Sequence, residues 1–508
     1  MSASLYDLFR SRFPSDLDAP FIETAEGRSY SYRDLDLLSG RFARLLADLG
    51  VVKGDRVAVR VGKSPEAIML YIACLRAGAI YLPLNTAYGP AEVGYFLNDA
   101  EPRVVVTRPE DAAWTREIMA ASGDGHVLTL DDAGGGDLIE RTGDRDPEFA
   151  TVAAAADDIA AILYTSGTTG RSKGAMLSHG NLAANALTLH RAWGFVSGDV
   201  LLHVLPIFHT HGLFVATHCV LLNGGTMIFH DRFDTDRTID DLLRATVLMG
   251  VPTHYARLLA NPRLDARACA NMRLFISGSA PLRSETFESF RARTGHVILE
   301  RYGMTEAGMI TANPLAGPRL AGAVGPPLSG VEARVVNEHG TPLPSGETGV
   351  LEIRGPNVFK GYWRMPEKTR EEFRDDGFFI TGDLARIDAA GYVWIVGRAK
   401  DLVISGGFNV YPKEIEICID ALPGVVESAV IGLAHPDFGE AVTAVVVRAP
   451  GADGPDEAEI IARLKARLAN FKVPKRVFFA DELPRNAMGK VQKAALREAH
   501  AGTFGGGS

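Results

Sequence analysis

A loop rich in glycine, serine and threonine, with one lysine near its end, is the segment best suited to chemistry. It reads Tyr164-Thr-Ser-Gly-Thr-Thr-Gly-Arg-Ser-Lys-Gly174 and is followed by a helical pattern that begins near His179. Glycines permit close backbone approach, hydroxyls donate hydrogen bonds and lysine supplies charge, so such a loop can hold phosphate. It is not a Walker A loop, because Gly-Lys-Ser/Thr is absent. The candidate phosphate-binding residues are Thr165, Ser166, Gly167, Thr168, Thr169, Gly170 and Lys173.

Taken alone, this loop could also be a solvated linker, but four further segments accompany it. They are Arg301-Tyr-Gly-Met-Thr-Glu306, Thr381-Gly-Asp383, Gly397-Arg-Ala-Lys-Asp401 and Pro484-Arg-Asn-Ala-Met-Gly-Lys490. In this order the segments resemble those of the adenylate-forming enzymes, which include acyl-CoA synthetases, peptide-synthetase adenylation domains and luciferases. The resemblance covers almost the whole chain and implies that it is an enzyme which activates a carboxylate with ATP.

The resemblance also implies a nucleotide site. Asp383 is expected to bind the ATP ribose with help from Arg398, since an ionised aspartate accepts two hydrogen bonds from vicinal hydroxyls. Thr305 is expected to contact the α-phosphate. Glu306 and Thr168 are expected to hold Mg²⁺, which prefers hard oxygen ligands. The other expected nucleotide contacts are Ser279, Arg301, Tyr302, Gly303 and Met304.

Lys490 is expected to act in the first half-reaction, which forms the acyl-adenylate. A carboxylate that attacks the α-phosphorus of ATP brings two anionic centres together, and the Lys490 ammonium would reduce their repulsion. Acetylation of Lys490 by a protein lysine acetyltransferase would remove that charge and lower activity.

His209 resembles the gate beside the acyl pocket. With His203 and His211 it could instead suggest zinc, but no matching cysteine or acidic cluster accompanies these histidines.

A second half-reaction requires the small domain to present different residues to the same site. By resemblance this domain swings about a hinge at Lys400. It then replaces Lys490 with the CoA-binding loop Ser405, Gly406 and Gly407, whose glycines let a pantetheine arm pass close to the backbone.

The acyl substrate is indicated by two arginines. The segments around Arg257, Ser279, Arg301 and 357–363 resemble the malonyl-CoA synthetase family. The far carboxylate of a dicarboxylate needs a partner inside the pocket, which Arg257 and Arg301 could supply with Ser279 as a wall contact. Replacing either arginine by alanine is expected to cost about 3–5 kcal/mol in malonate use, because it breaks a buried pair.

The chain also departs from that family. An aromatic residue is usual where His254 stands, and a Thr-Asn pair is usual at Ala307-Gly308. The smaller pair predicts a wider pocket and leaves methylmalonate and other short dicarboxylates open. Two alternatives also stay open: a medium-chain or aryl acyl-CoA ligase, and a non-catalytic nucleotide-binding relative. The presence of Lys173, Glu306 and Lys490 argues against the second.

The elements that must position these residues follow from periodicity. Short apolar strands alternate with helical patterns, as in the strand at 56–61 and the helix at 67–78, which predicts an α/β fold. After about residue 320, strands and turns predict a β-rich subdomain of the same large N-terminal domain. We expect an AMP-binding domain over 1–399, a small mobile α+β domain over 400–500 and a disordered tail over 501–508.

Composition limits the partners and the compartment. The net charge is −9 and no dense run of Lys and Arg occurs, which argues against nucleic acid. The longest stretch without charged residues, 200–230, contains five histidines and a Gly-Gly break, so we expect buried core and no membrane association. Four scattered cysteines and the absence of a signal-peptide pattern indicate the cytoplasm. The expected partners are therefore small molecules: malonate, ATP and coenzyme A.

Overall fold

The computed structural model describes residues 4–122, 125–165, 172–405, 408–449, 454–486 and 489–504. The chain divides into two compact units. The first consists of Met1–Glu332 with Ile353–Phe379, and the second of Ala333–Glu352 with Ile380–Ser508. The expected hinge boundary at residue 400 stays a prediction.

The first unit alternates strands with helices, as the sequence predicts. Its strands are β1 Pro20–Thr24, β2 Ser29–Ser31, β3 Arg56–Arg60, β4 Ile80–Pro83, β5 Val104–Thr107, β6 His126–Thr129, β7 Ile159–Thr165, β8 Lys173–Ser178, β9 Val200–His203, β10 Thr226–Phe229, β11 Val247–Gly250, β12 Leu274–Ser277, β13 Leu299–Met304 and β14 Gly308–Ala312. Its helices are α1 Leu5–Arg10, α2 Tyr32–Asp48, α3 Pro65–Ala77, α4 Pro90–Ala100, α5 Ala112–Ser122, α6 Asp137–Thr142, α7 His179–Ala192, α8 Thr217–Asn223, α9 Thr235–Asp241, α10 Pro252–Ala260, α11 Ser284–Thr294 and α12 Pro366–Glu371.

The strands of the first unit form two sheets. In one sheet the order is β14-β13-β12-β11-β9-β10-β1-β2, and in the other it is β6-β5-β3-β4-β7-β8. The interior strands run parallel, and β2, β14 and β8 at the edges run antiparallel to their neighbours. This confirms the α/β class, because parallel strands joined by helices produce layered sheets.

Local sequence explains where the helices begin and end. The side chain of Ser64 accepts a hydrogen bond from the backbone N–H of Ala67, and Pro65 begins α3 in the first-turn position that tolerates its missing N–H. α3 then ends at Gly78, whose φ of +70° is a left-handed conformation that glycine adopts without strain. α3 is buried along its whole length, which explains why its sequence is apolar on every face.

The parallel arrangement places the candidate residues at strand ends. Ser279 follows β12, Thr305 follows β13, His209 follows β9 and Arg257 lies in the helix after β11. Because carboxyl ends of parallel strands share one edge of a sheet, residues far apart in sequence meet there.

The second unit contains a small sheet and an α+β part. Its strands are β15 Glu332–Val336, β16 Gly349–Arg354, β17 Phe379–Ile387, β18 Val393–Arg398, β19 Val403–Ser405, β20 Phe408–Val410, β21 Val425–His435, β22 Gly439–Arg448 and β23 Arg476–Ala480. Its helices are α13 Pro412–Asp420, α14 Glu457–Lys465 and α15 Lys493–Ala499. One sheet has the order β15-β16-β17-β18; the other has the order β20-β19-β22-β21, with β23 beside β22. The predicted β-rich segment and C-terminal α+β pattern are thus both present.

The tail that the sequence predicts to be disordered begins at residue 501. Phe504 packs against a buried cluster that includes Leu433 and Leu496, so the predicted tail is ordered at its start, while 505–508 lie outside the described residues. Within the described chain, no helix has both the length and the apolar character that a bilayer crossing requires. Cys74, Cys219, Cys269 and Cys418 are free thiols.

Candidate active site

The most informative single side chain is that of Arg301, the third residue of β13. It is 3% exposed, and its Nε and Nη2 atoms meet no hydrogen-bond acceptor within the part of the chain described. Burial lowers the pKa of the guanidinium to about 9. A Cβ atom at Gly278 would overlap Arg301 Cζ, so only glycine leaves room for this side chain. A buried cation with unused donors suits an incoming carboxylate.

Ser279 and His211 lie beside this arginine. The Ser279 hydroxyl is 3.3 Å from His211 Nδ1. Ser279 has a φ of +71°, a left-handed conformation that is uncommon outside glycine and is found where surrounding structure imposes it. Burial first, and then the Arg301 charge, hold the pKa of His211 well below its ordinary value. The ring is therefore neutral, and Arg301 carries the charge of this region.

Arg257 differs from Arg301 in burial. Within α10, Tyr255 and Leu258 are buried, whereas Arg257 is exposed. No ion pair or hydrogen bond of Arg257 occurs among the residues described. Burial, followed by the charge of Arg257, lowers the pKa of His254 to about 3. The expectation of a buried arginine pair is therefore revised: only Arg301 is buried, and the loss expected on truncating Arg257 becomes smaller.

A cavity brings His209 and Thr305 together. It is small, and its lining consists of Pro83, Leu84, Asn85, Tyr88, Leu163, Tyr164, Phe208, His209 and Thr305. His209, the predicted gate, therefore lines the same space as Thr305, the predicted α-phosphate contact. Tyr164, near the end of β7, lines it too. These three features were assigned from separate motifs, and the fold places them together.

The loop lysine begins β8 and is already paired. Lys173 is 7% exposed, and its Nζ donates a hydrogen bond of 2.8 Å to Glu372 Oε1. Tyr362 Oη lies 2.6 Å from Glu372 Oε2 and 3.2 Å from Glu306 Oε1. Burial alone would raise the pKa of Glu372, but the hydrogen bonds from Lys173 and Tyr362 outweigh it and hold that pKa below its ordinary value. This carboxylate is therefore ionised at neutral pH.

Thr165 closes the hairpin that carries the loop. It pairs with Lys173 across β7 and β8, and its Oγ1 lies 3.4 Å from the Lys173 carbonyl oxygen. The other predicted loop contacts, Ser166, Gly167, Thr168, Thr169 and Gly170, lie outside the described residues.

Glu306 fits the chemistry expected of a magnesium ligand. Its carboxylate is buried, and one of its oxygens contacts the Tyr362 hydroxyl. Mg²⁺ in nucleotide sites takes one or two protein carboxylates and completes its shell with phosphate and water. Glu306 is a buried carboxylate of the kind that this requirement calls for.

Backbone packing constrains the rest of this motif. A Cβ atom at Gly303 would overlap the carbonyl oxygen of Gly308, so β13 and β14 approach too closely for a side chain there. Tyr302, Met304 and Thr305 are half-buried along this stretch. The motif is thus held by the antiparallel β13–β14 pair.

Asn185 packs beside Gly308, where the sequence predicts a wider pocket. Gly308 has a φ of +58°, and a Cβ atom there would lie 2.6 Å from Asn185 Oδ1. Asn185 occupies that space because its side chain accepts from the Met309 N–H and donates to the Met309 carbonyl. Gly308 and Asn185 also line a small pocket, so the wider acyl pocket stays a prediction.

In the second unit, Asp383 and Arg398 are paired across neighbouring strands. They face each other in the β17–β18 register, and Arg398 Nε lies 2.6 Å from Asp383 Oδ1. The Asp383 backbone N–H donates to Thr381 Oγ1 over 3.1 Å, which helps to fix the backbone of β17 at this carboxylate. The two residues predicted to act together on a ribose are therefore adjacent.

The other predicted residues of the second unit lie at or near its surface. Lys400 is exposed in a short 3-10 turn, Ala399–Asp401. Ser405 is buried at the end of β19, while Gly406 and Gly407 lie outside the described residues. Lys490 is exposed, and its backbone exchanges hydrogen bonds with Asn486.

The zinc alternative receives no support from the histidines. His203 Nε2 lies 3.0 Å from the Gly212 carbonyl, and His211 contacts Ser279. Across the described ranges, no group of three His, Cys, Asp or Glu side chains is arranged to hold a metal ion. Each histidine has its own separate protein contact.

Sequence reasoning missed Glu372 and Tyr362. Both contact the phosphate-loop lysine or its partner, although Glu372 is 199 positions from Lys173. Tyr362 belongs to a segment that the sequence singled out for another reason, at 357–363. Glu372 follows α12 in a stretch with several other acidic residues, so no spacing distinguished it.

Known proteins resemble the chain along most of its length. The profile of the AMP-binding enzyme family matches residues 10–363, and that of the AMP-binding enzyme C-terminal domain matches residues 414–490. The crystal structure of ATP-bound MatB from Rhodopseudomonas palustris is 57% identical, with a TM-score of 0.97 over 99% of this chain and 100% of that one.

Two curated relatives differ in the acid that their names specify. A malonate–CoA ligase from Arabidopsis thaliana is 33% identical over 98% of this chain and 89% of its own length. A feruloyl-CoA synthase from an Amycolatopsis species is 37% identical over 93% of this chain and 94% of its own length. Sequence identity to these relatives therefore does not by itself select the acid, and the acyl site must do so.

Proposed function

The chain belongs to the AMP-binding enzyme family, and from that premise we propose that it joins malonate to coenzyme A with cleavage of ATP. One malonate carboxylate attacks the α-phosphorus, pyrophosphate leaves, and malonyl-adenylate forms. The CoA thiol then loses its proton and its sulfur attacks the acyl carbon, with AMP as leaving group. The products are malonyl-CoA, AMP and pyrophosphate. The ATP-bound state of the solved relative and the malonate–CoA ligase among the curated relatives both support this reaction.

The observation that carries the choice of malonate is Arg301. A buried guanidinium without an acceptor is costly, and a carboxylate that binds Nε and Nη2 removes that cost. A monocarboxylate of similar size leaves both donors unsatisfied. The site therefore discriminates by charge at the far end of the acid, with Ser279 beside the same pocket and Arg257 acting from the exposed face of α10.

Separate groups of residues bind the ribose and the phosphates of the nucleotide. Asp383 accepts from the ribose hydroxyls with Arg398 beside it, and Thr305 contacts the α-phosphate. Lys173 and the loop residues 165–170 bind the phosphates, and Lys490 offsets the charge that develops as the two anions meet. His209 gates the acyl side of the cavity that it shares with Thr305.

Glu306 and Thr168 would hold the magnesium ion. When bound, Mg²⁺ neutralises part of the triphosphate charge. Glu306 is buried within contact of Tyr362, so its position is fixed before the nucleotide arrives.

Coenzyme A enters in the second half-reaction, in which the part of the chain after Lys400 rotates and Ser405, Gly406 and Gly407 replace Lys490. The exposure of Lys490 makes it accessible to a protein lysine acetyltransferase, and acetylation would block adenylation first. The free thiols favour a cytoplasmic location.

The test is the identity of the thioester formed. The protein is incubated with ATP, Mg²⁺, CoA and a panel of malonate, methylmalonate, butyrate and ferulate, and the products are identified by mass spectrometry. We expect malonyl-CoA with stoichiometric AMP and much less butyryl- or feruloyl-CoA. Preferential formation of either monocarboxyl thioester would refute the malonate assignment and support the alternative of a medium-chain or aryl ligase. No thioester and no pyrophosphate from any acid would support a non-catalytic relative.

A further inference from the structure

Lys173, Glu372, Tyr362 and Glu306 form one connected network inside the first unit. The lysine Nζ is 2.8 Å from Glu372 Oε1 and 4.1 Å from the centroid of the Tyr362 ring. The Tyr362 hydroxyl is 2.6 Å from the other oxygen of Glu372 and 3.2 Å from Glu306. Two carboxylates therefore share one phenol, and one of them also binds the lysine.

The two carboxylates cannot both receive the hydrogen bond from the Tyr362 hydroxyl. A phenol has one proton and can donate to one carboxylate at a time. The shorter distance assigns that proton to Glu372, which also receives a hydrogen bond from Lys173. The longer contact leaves Glu306 with the weaker hydrogen bond from the phenol.

We propose that Glu372 is a positioning residue that holds the Lys173 ammonium away from Glu306. The lysine is then kept for phosphate and Glu306 for a divalent cation. This inference rests on the proposed nucleotide site. Its physical basis is that an ammonium group near two carboxylates binds one of them, and an ion pair with Glu306 would compete directly with the metal.

The neighbourhood supplies a matched control. Lys368 lies 3.3 Å from Glu372 Oε1 and 2.9 Å from Glu371 Oε2. Glu371 is the residue before Glu372, carries the same charge and is exposed, but makes no contact with Lys173 among the residues described. Glu371→Gln therefore changes the local net charge as Glu372→Gln does, without releasing the loop lysine.

The experiment measures ATP binding with and without Mg²⁺ by isothermal titration calorimetry, in the absence of any acid or CoA. Glu372→Gln keeps the shape of the side chain, which protects the fold. We expect it to weaken MgATP binding about tenfold, comparable to losing one charge-assisted hydrogen bond, and not to weaken metal-free ATP binding. Glu371→Gln should match the wild type in both conditions. In steady-state assays the Glu372→Gln variant should show its loss as a raised MgATP KM that excess Mg²⁺ restores.

Two results would overturn the inference. One is unchanged MgATP binding in Glu372→Gln; the other is an equal loss with and without the metal, which is what general damage to the site would give. If the wild type itself bound no MgATP, the proposed function would fail. Tight wild-type binding together with either result above refutes only the role of Glu372.

Discussion

The proposed acyl and phosphate regions of the first unit both contain a buried cation, but they satisfy it in different ways. Lys173 on the phosphate side is paired with Glu372, and that carboxylate is in turn held by Tyr362. Arg301 on the acyl side has donors that meet no protein acceptor among the residues described. In the phosphate region the protein itself supplies the counter-charge, whereas in the acyl region the proposed ligand must supply it.

This difference has an energetic meaning. Replacing an unpaired buried charge by an apolar group removes a desolvation cost, whereas removing one partner of a buried pair leaves an uncompensated charge. We therefore expect the unpaired Arg301 to lower stability, and the paired Lys173 to contribute to it. The predictions below distinguish these two regimes.

The largest effect is expected on malonate turnover when Arg301 is replaced. Arg301→Met should lower kcat/KM for malonate, because the far carboxylate loses its partner. The decrease should correspond to a loss of about 3–5 kcal/mol of transition-state stabilisation. The kcat/KM for butyrate, measured in the same assay, should fall much less. Equal losses for both acids would mean that Arg301 supports the fold of the site and does not select the acid.

Stability should change in opposite directions in the two regions. Arg301→Met should raise the free energy of unfolding by about 1–3 kcal/mol, and Lys173→Met should lower it by about the same amount. Denaturant unfolding of both variants without ligands checks this. A destabilised Arg301→Met protein would contradict the contrast between paired and unpaired cations.

Arg257→Ala should have a smaller effect on malonate turnover than Arg301→Met. Because Arg257 is exposed, solvent screens its attraction for the acid, and the expected loss is about 1 kcal/mol or less. Raising the salt concentration should reduce this difference further. A loss as large as that of Arg301→Met would show that Arg257 becomes buried when the substrate binds.

The smallest predicted effect concerns acid. The pKa of Glu372 is held below its ordinary value, so its contribution to stability is present above pH 4.5 and is lost as pH falls through the lower folded-state value. Between about pH 5 and 3, the wild type should therefore lose more thermal stability than Glu372→Gln. Arg301→Met should follow the wild-type slope, since no carboxylate has been removed. Parallel Tm profiles for the wild type and Glu372→Gln would argue against the ion pair.

The sequence predicted the elements and the motifs well because both depend on local information. A short apolar run predicted β3, a helical pattern predicted α3, and an apolar strand was expected before the glycine-rich loop, where β7 lies. The exposure of Arg257 also follows from local spacing. Tyr255 and Leu258 lie three positions apart on the buried face of α10, and a residue between them falls outside that face.

The partners of the charged residues could not be predicted in this way. Glu372 reaches Lys173 across 199 positions, and Asn185 of α7 packs against Gly308 at the start of β14. Such contacts depend on how sheets and helices pack and have no spacing in the sequence. A resemblance can assign the role of a residue, but only the packed fold shows whether its charge is already paired.

The most direct test is the position of malonate in a crystal structure of its complex with this protein and a non-hydrolysable ATP analogue. The account predicts that oxygens of the far carboxylate lie about 2.7–3.1 Å from Nε and Nη2 of Arg301, with the other carboxylate turned towards the α-phosphate. A bound malonate whose far carboxylate contacts other groups, with both Arg301 donors still unsatisfied, would contradict it.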